Sequence, residues 1–319
     1  MNKVASEVDH VYKCQEFTST LYKDEIIYRK DAKRKCATIT FNRPDKLNAL
    51  PMAGFDKITR LIKEAEADDE IKVIVFEGNG PCFGTGADAN ELGFYIGFGG
   101  GKTEADKRKP AQRRRMIPDK DVLYGAHGME QAIFRCMKVT ICKVHSYCYG
   151  GHLQIAAASD IVIASENSLF THPAWRYLGP LFNFSILIET IGLKKVKEMV
   201  FTCRPLVASE AEKCGFVNRV VKKEDLDQTV SDYVQAVSAM AIDGIAIGKA
   251  LIEQVLEGRG VGIGATTAWM GHGWLTNLRF EKDEWNFVKN RRDKGLTKAL
   301  AERDMMVPKF FRMGKAREE

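Results

Sequence analysis

Residues 139–165, VTICKVHSYCYGGHLQIAAASDIVIAS, decide the fold class. The stretch opens on an apolar, β-branched run at Val139–Val144 and passes through two glycines into a small-residue helix over 150–159. It returns to a second β-branched run at 161–164. Strand, helix and strand in close succession point to an α/β fold. The same order appears upstream. Residues 25–28 and 37–41 read as strands, and 42–50 (NRPDKLNAL) as a loop. Over 52–67 a helix is expected, with Phe55, Ile58, Leu61, Ile62 and Ala65 on one face. A buried strand follows at 71–76, then a glycine-broken loop at 81–87 (PCFGTGA) and an acid-capped helix start at 88–92. Residues 128–137 read as helix and 168–170 as a short strand. Beyond Pro205 the pattern is helical at 208–214, 223–242, 245–257, 259–279 and 283–303. Trp269, Trp274, Trp285 and Phe287 lie there and read as packing residues of a core or a subunit interface. The expected organisation is a leader over 1–19, an α/β core over 20–205 interrupted by an insertion at 93–127, and a helical region for oligomerisation over 206–319.

Composition narrows the class. The chain has 319 residues, of which 45% are hydrophobic and 28% charged, so a packed core is expected and a disordered or collagenous chain is excluded. No apolar run reaches the roughly 20 residues of a membrane span, and MNKVASEVDH has no signal-peptide core. The eight cysteines form no C-x-x-C pair, which argues against a cysteine metal site and fits free thiols in a cytoplasmic protein. The net charge of +6 is concentrated in 102–120, with eight basic and three acidic residues. Such a cluster suits phosphate groups on a small ligand, or forms a solvated loop. Nucleic-acid binding is disfavoured, because no aromatic residues interleave the charges.

Four segments, taken together, resemble the crotonase (enoyl-CoA hydratase/isomerase) superfamily. NRPDKLNAL resembles its N-R-P-x-x-x-N-A-L loop, and FGTGADANEL its F-x-x-G-A-D-x-x-E-[LM] segment. KVHSYCYGGHLQIAAASDIVIAS resembles its glycine-trio helix region, and FTCRPLVASEAEKCGFVNRVV its late A-x-E-A-x-x-x-G-L-V run. They occur in family order over roughly residues 24–225. The resemblance implies a crotonase-like spiral of ββα units with a helical C-terminal region, assembled as a homotrimer or homohexamer. It implies acyl-CoA thioester substrates, with coenzyme A as part of the substrate and no separate cofactor or metal. It also implies stabilisation of a thioester enolate by two backbone N–H groups, here those of Ala87 and Gly151. Lys46, Leu47 and Ala49 match the family's CoA path, and Asp88 and Ala89 continue that wall. Residues 107–115 are placed to meet CoA phosphates by charge alone.

The chain departs from the pattern where hydratases carry two glutamates. Gln154 stands at the first position and Ala174 at the second, and neither takes a proton at working pH. His152 replaces the third glycine of the trio. Substitute acid–base groups are His172, placed by strand alternation on the same face as Ala174, and His152. Trp175, Arg176 and Tyr177 could shape a pocket for a ring-bearing acyl group, and Tyr124 and His127 lie in the insertion. Asp88 reads as a cap, and His145 and Tyr147 as structural. The expected function is therefore an acyl-CoA enzyme of hydratase/isomerase type with altered acid–base groups. The competing readings are a decarboxylase or C–C hydrolase of a β-oxo or cyclic acyl-CoA, and a non-catalytic acyl-CoA-binding protein.

Overall fold

The computed structural model describes residues 24–90, 126–176, 179, 182–275 and 280–317. The expected leader, the basic run 102–120, Tyr124, Tyr177 and all but the last two residues of the insertion lie outside the described residues.

Six strands form the main sheet in the order β1-β2-β3-β4-β6-β9. They are β1 (Ile26–Asp31), β2 (Cys36–Phe41), β3 (Val73–Gly78), β4 (Val139–Val144), β6 (Ile161–Ser165) and β9 (Arg219–Val221). β1 and β2 pair antiparallel, and every later pairing is parallel. The parallel strands read as unbroken apolar runs because both sheet faces are covered. Ile74, Phe76, Cys142, Val144 and Val162 face one core cluster. Val73, Val75, Ile141 and Ile163 face a second, closed by Leu226, Val230 and Val234 of helix α7 (Leu226–Ser238). A smaller sheet joins β5 (Tyr147–Tyr149), β7 (Leu169–Thr171) and β8 (Leu206–Val207).

Helix α1 (Met52–Ala67) buries the predicted stripe, with Ile58, Ile62 and Ala65 sealed completely. α2 (Ala126–Phe134) and α3 (Gly151–Ala158) pack against each other, and α1 packs on α2. α3 is buried along its whole length, which explains its small residues. Two helices went unread in the sequence: α4 (Phe184–Ile191) and α5 (Leu193–Thr202). Gly192, at φ +80°, divides them into pieces too short to show a period. After α6 (Ala208–Lys213) and α7 come α8 (Ile242–Gly258), α9 (Val261–Leu275), α10 (Phe287–Lys294) and α11 (Leu296–Met305). The single helix expected over 283–303 is thus two, broken at Gly295, whose φ of +85° no helix accommodates.

The seven described cysteines are free thiols. Burial pushes Cys36 up to about 11 and Cys82 up to about 12, so neither presents a reactive thiolate. No single helix among the described residues is long and apolar enough to cross a membrane.

Candidate active site

The 42–50 loop is held by one side chain. Leu47 and Asn48 both adopt left-handed backbone, at φ +51° and +56°. Asn48 is buried and uses all of its amide. Nδ2 donates to the carbonyls of Asn79 (2.9 Å) and Cys82 (2.8 Å), and Oδ1 accepts from the Arg43 N–H at 2.8 Å. The loop is thereby fixed to the 81–87 loop, and Thr85 Oγ1 adds a bond to the Leu47 carbonyl. Leu50 then pairs with the far end of that loop. Its N–H donates to Gly86 O and its carbonyl accepts from Asp88 N–H, each at 2.7 Å. Leu50 bonds the residues on either side of Ala87, which turns the Ala87 N–H to the opposite side.

The second expected donor comes to the same place. Gly150 N–H donates to Thr171 O at 3.0 Å, which seats the start of α3 beside the end of β7. Gly151 is the first residue of α3, so its N–H has no acceptor within the helix. Gly86 and Gly150 adopt φ +89° and +58° and touch. A Cβ on Gly86 would stand 2.9 Å from Gly150 Cα and 3.0 Å from Gly151 N. Only glycine allows this approach. Among the described residues no acceptor takes the Ala87 or the Gly151 N–H. Two donors brought together at a helix N-terminus suit a developing oxyanion.

His152 lies behind this junction and is corrected from an acid–base candidate to a support. It is fully buried, edge-on to Phe41 at 4.6 Å and to Phe83 at 5.5 Å between ring centroids. Its Nδ1 accepts from Gly86 N–H at 3.0 Å, which puts its proton on Nε2. Burial lowers it to about 3, so the ring is neutral at working pH and fixes the peptide beside the Ala87 donor.

His172 is also placed differently from the expectation. β7 ends at Thr171, and Pro173–Arg176 form a 3-10 turn, so strand alternation does not relate His172 to Ala174. His172 is buried, stacked on Trp175 at 5.4 Å and edge-on to Phe182 at 6.1 Å. Together with Phe184 these rings form an aromatic wall next to the α3 entry. Ala174 packs against Phe287 and Ala299 from α10 and α11, so apolar groups occupy the second-glutamate position. Gln154 is buried on α3. Its Oε1 would lie 3.9 Å from a Cβ placed on Gly151, which sets its amide beside the second donor. Phe55 of α1 closes the other side, 2.6 Å from that same Cβ position. The sequence had read Phe55 only as core.

Of the expected CoA-path residues, Lys46 ends an exposed 3-10 turn, Pro44–Lys46, and Leu47 is 41% exposed. The Ala49 carbonyl accepts from Arg43 Nη1 at 2.6 Å. Asp88 meets Arg43 at 3.4 Å and accepts from Asn90 N–H at 3.0 Å in a turn; the helix start expected over 88–92 runs past the described residues at 90. Arg291 of α10 donates to Ala89 O at 2.6 Å, tying the C-terminal helices to this wall. Arg176 ties them again. Its guanidinium donates to Thr202 O at 3.0 Å and Phe311 O at 2.9 Å, and pairs with Asp304 at 3.3 Å. It is therefore an anchor rather than a pocket residue. His145 bonds Gly80 O at 3.0 Å, as a structural residue.

One acidic group escaped the sequence reading. Glu130, in the middle of α2, is fully buried, and burial pushes its carboxyl up to about 7. Nothing within AHGMEQAIF signals that its one acid is buried.

A profile of the enoyl-CoA hydratase/isomerase family matches residues 31–260. A probable mitochondrial enoyl-CoA hydratase of Dictyostelium discoideum is 28% identical over 228 residues, spanning 67% of this chain and 73% of that protein. A peroxisomal Delta(3,5)-Delta(2,4)-dienoyl-CoA isomerase of Arabidopsis thaliana is 27% identical, over 71% of this chain and 81% of its own length. The crystal structure of an enoyl-CoA hydratase/isomerase from Xanthobacter autotrophicus Py2 superposes with a TM-score of 0.74 at 26% identity, covering 89% of this chain and 98% of that one. The sheet order, the two meeting glycine loops and these matches agree: the chain belongs to the crotonase (enoyl-CoA hydratase/isomerase) superfamily.

Proposed function

We propose that this protein binds an acyl-CoA thioester and stabilises its enolate between the N–H groups of Ala87 and Gly151. Coenzyme A enters as part of the substrate. The observation that carries the reading is the contact of Gly86 with Gly150, which brings the two donors together. Donors fixed before the reaction stabilise the developing charge without reorganising, and one such donor is worth about 10²–10³ in rate. Gln154 beside Gly151 donates and accepts hydrogen bonds but carries no transferable proton at neutral pH. It orients a water molecule or a thioester substituent. The best reading is a hydratase- or isomerase-type reaction in which another group moves the proton. His172 on the aromatic wall stays the nearest titratable side chain to Ala174 in sequence. The apolar packing of Ala174 favours a second reading, decarboxylation or C–C hydrolysis of a β-oxo or cyclic acyl-CoA. Those reactions draw on enolate stabilisation more than on a paired acid and base.

Mass spectrometry of the protein with unsaturated, β-oxo, malonyl-type and cyclic acyl-CoAs separates these readings. Gain of one water on an enoyl substrate supports a hydratase, and an isomer of unchanged mass supports an isomerase. Loss of CO2, or water gain on a β-oxo substrate, supports the second reading. Binding without conversion leaves a non-catalytic acyl-CoA-binding protein. On the substrate converted, Gln154→Ala is expected to lower kcat about 10-fold or more with KM nearly unchanged. An unchanged kcat removes Gln154 from the site.

The homotrimer or homohexamer expected from the resemblance is part of this proposal. An apolar surface supports it: Ile247, Leu251, Ile252 and Val255 on α8 and Ile263 on α9 are 61–71% exposed. Leu251→Asp with Val255→Asp is expected to convert the assembly to monomers by light scattering. A variant that keeps the parent mass removes this face from the interface.

A further inference from the structure

The aromatic wall ends on a polar pair that the hole and the CoA path do not use. Phe182, edge-on to His172, is followed by Asn183, the N-cap residue of α4. Asn183 is fully buried, and neither its Oδ1 nor its Nδ2 has a hydrogen-bond partner. Across from it stands Glu130 of α2, 1% exposed, with both carboxyl oxygens likewise unpartnered. The amides of Asn183 and Gln131 lie close enough to favour the ionised carboxyl, but neither is aligned in a hydrogen bond to it. α9 closes the third side. Gly264 faces Asn183 and Ser185 so tightly that a Cβ there would overlap both side chains. The glycine therefore makes room for the Asn183 amide.

Four buried polar atoms without partners are costly to keep in an apolar interior. Their position gives them a use. From Gly150 the chain of contacts runs through the Thr171 carbonyl to His172, then to Phe182, Asn183 and Glu130. The pair thus stands at the far end of the aromatic run that begins beside Gly150.

We propose that Glu130 and Asn183 form a polar subsite at the end of the acyl pocket, which takes an acyl group carrying a ketone or hydroxyl oxygen away from the thioester. The subsite rests on the acyl-CoA reading above and adds the class of acyl group. A protonated Glu130 donates to a ketone and accepts from a hydroxyl, and the Asn183 amide supplies one donor and one acceptor. Both stand in an apolar surrounding where an unsubstituted hydrocarbon leaves them unsatisfied.

The test is calorimetric binding at pH 6 of matched pairs of hexenoyl- and cyclohexenecarbonyl-CoA. In each pair one thioester is unsubstituted, and the other carries a ketone or hydroxyl at successive carbons beyond the β position. At one position or more, the wild-type protein is expected to favour the oxygenated member about 10-fold or more. Glu130→Leu and Asn183→Leu should abolish that preference and leave binding of the hydrocarbon member equal or tighter. Equal affinities across every pair in the wild type would overturn the subsite even if a leucine variant does not fold. So would a preference that survives in folded Glu130→Leu, or Glu130→Gln acting on kcat alone with the preference intact, which marks a proton-transfer role instead. Failure of every acyl-CoA to bind overturns the parent reading rather than this one.

Discussion

Gly84→Ala is expected to destabilise this protein strongly, and removing the His152 ring is expected to restore much of the loss. A Cβ on Gly84 would fall within the His152 imidazole, onto Nε2, Cδ2 and Cε1 together. The ring has no room to retreat. It is fully buried, edge-on against Phe41 and Phe83, and its Nδ1 is bound to Gly86 N–H. Overpacking a rigid interior costs about 1–3 kcal/mol and occasionally more, a large share of a total stability of about 5–15 kcal/mol. His152→Ala alone opens a cavity and strips Gly86 of its acceptor, so it too is destabilising. The double variant removes the clash and fills part of the cavity. Urea unfolding of all four proteins should give a favourable coupling of about 1–3 kcal/mol between the two sites. Strict additivity, or Gly84→Ala with wild-type stability, would show that the loop and ring are not packed as described.

Glu130→Gln should stabilise the protein at pH 8 and do far less at pH 5. The folded-state carboxyl lies at about 7, above its ordinary 4.5, because burial disfavours the ion. Both states hold the proton below about pH 4.5, and there the group costs nothing through ionisation. Between 4.5 and 7 the unfolded chain ionises while the folded one does not, so stability falls as pH rises. Above 7 the full cost is present. Keeping the carboxyl from ionising until about pH 7 costs about 3 kcal/mol at alkaline pH. Glutamine keeps the shape and does not titrate. Urea titrations at pH 5 and pH 8 should therefore show the variant gaining about 2–3 kcal/mol over the wild type between the two conditions. An equal difference at both pH values would mean that Glu130 is solvated or paired.

These groups mark what could and could not be read from the chain. The period of Phe55, Ile58, Ile62 and Ala65 places α1 without further help, and the β-branched runs place β3, β4 and β6. Those signals are local, set by which face meets the core. The Ala87 and Gly151 loops were legible through resemblance, and their junction is consistent with that reading. His152 and His172 were harder, since a histidine's role depends on what surrounds its ring. His152 faces phenylalanines from β2 and the 81–87 loop, and His172 sits past the end of its strand. Glu130 was silent for a similar reason. Its burial comes from α4 and α9, more than 50 positions away, and no pattern within α2 announces it. α4 and α5 were missed because Gly192 cuts a helical region into lengths that show no period.

The meeting of Gly86 with Gly150 also has a consequence for how the protein comes into being. Its two halves are separated by more than 60 residues; Gly84 ties them by bonds to Tyr147 and Tyr149, and the Gly150 N–H is taken by Thr171. Arg176, two positions past Ala174, is seated in turn by Phe311 at the far C-terminal end. A chain emerging from the ribosome therefore carries the first donor peptide well before it can align it with the second. Contacts this distant in sequence form late and cooperatively. Competence at this site should arrive in one step, when residues 84–86, 147–151 and 171 pack together, and not grow gradually with chain length.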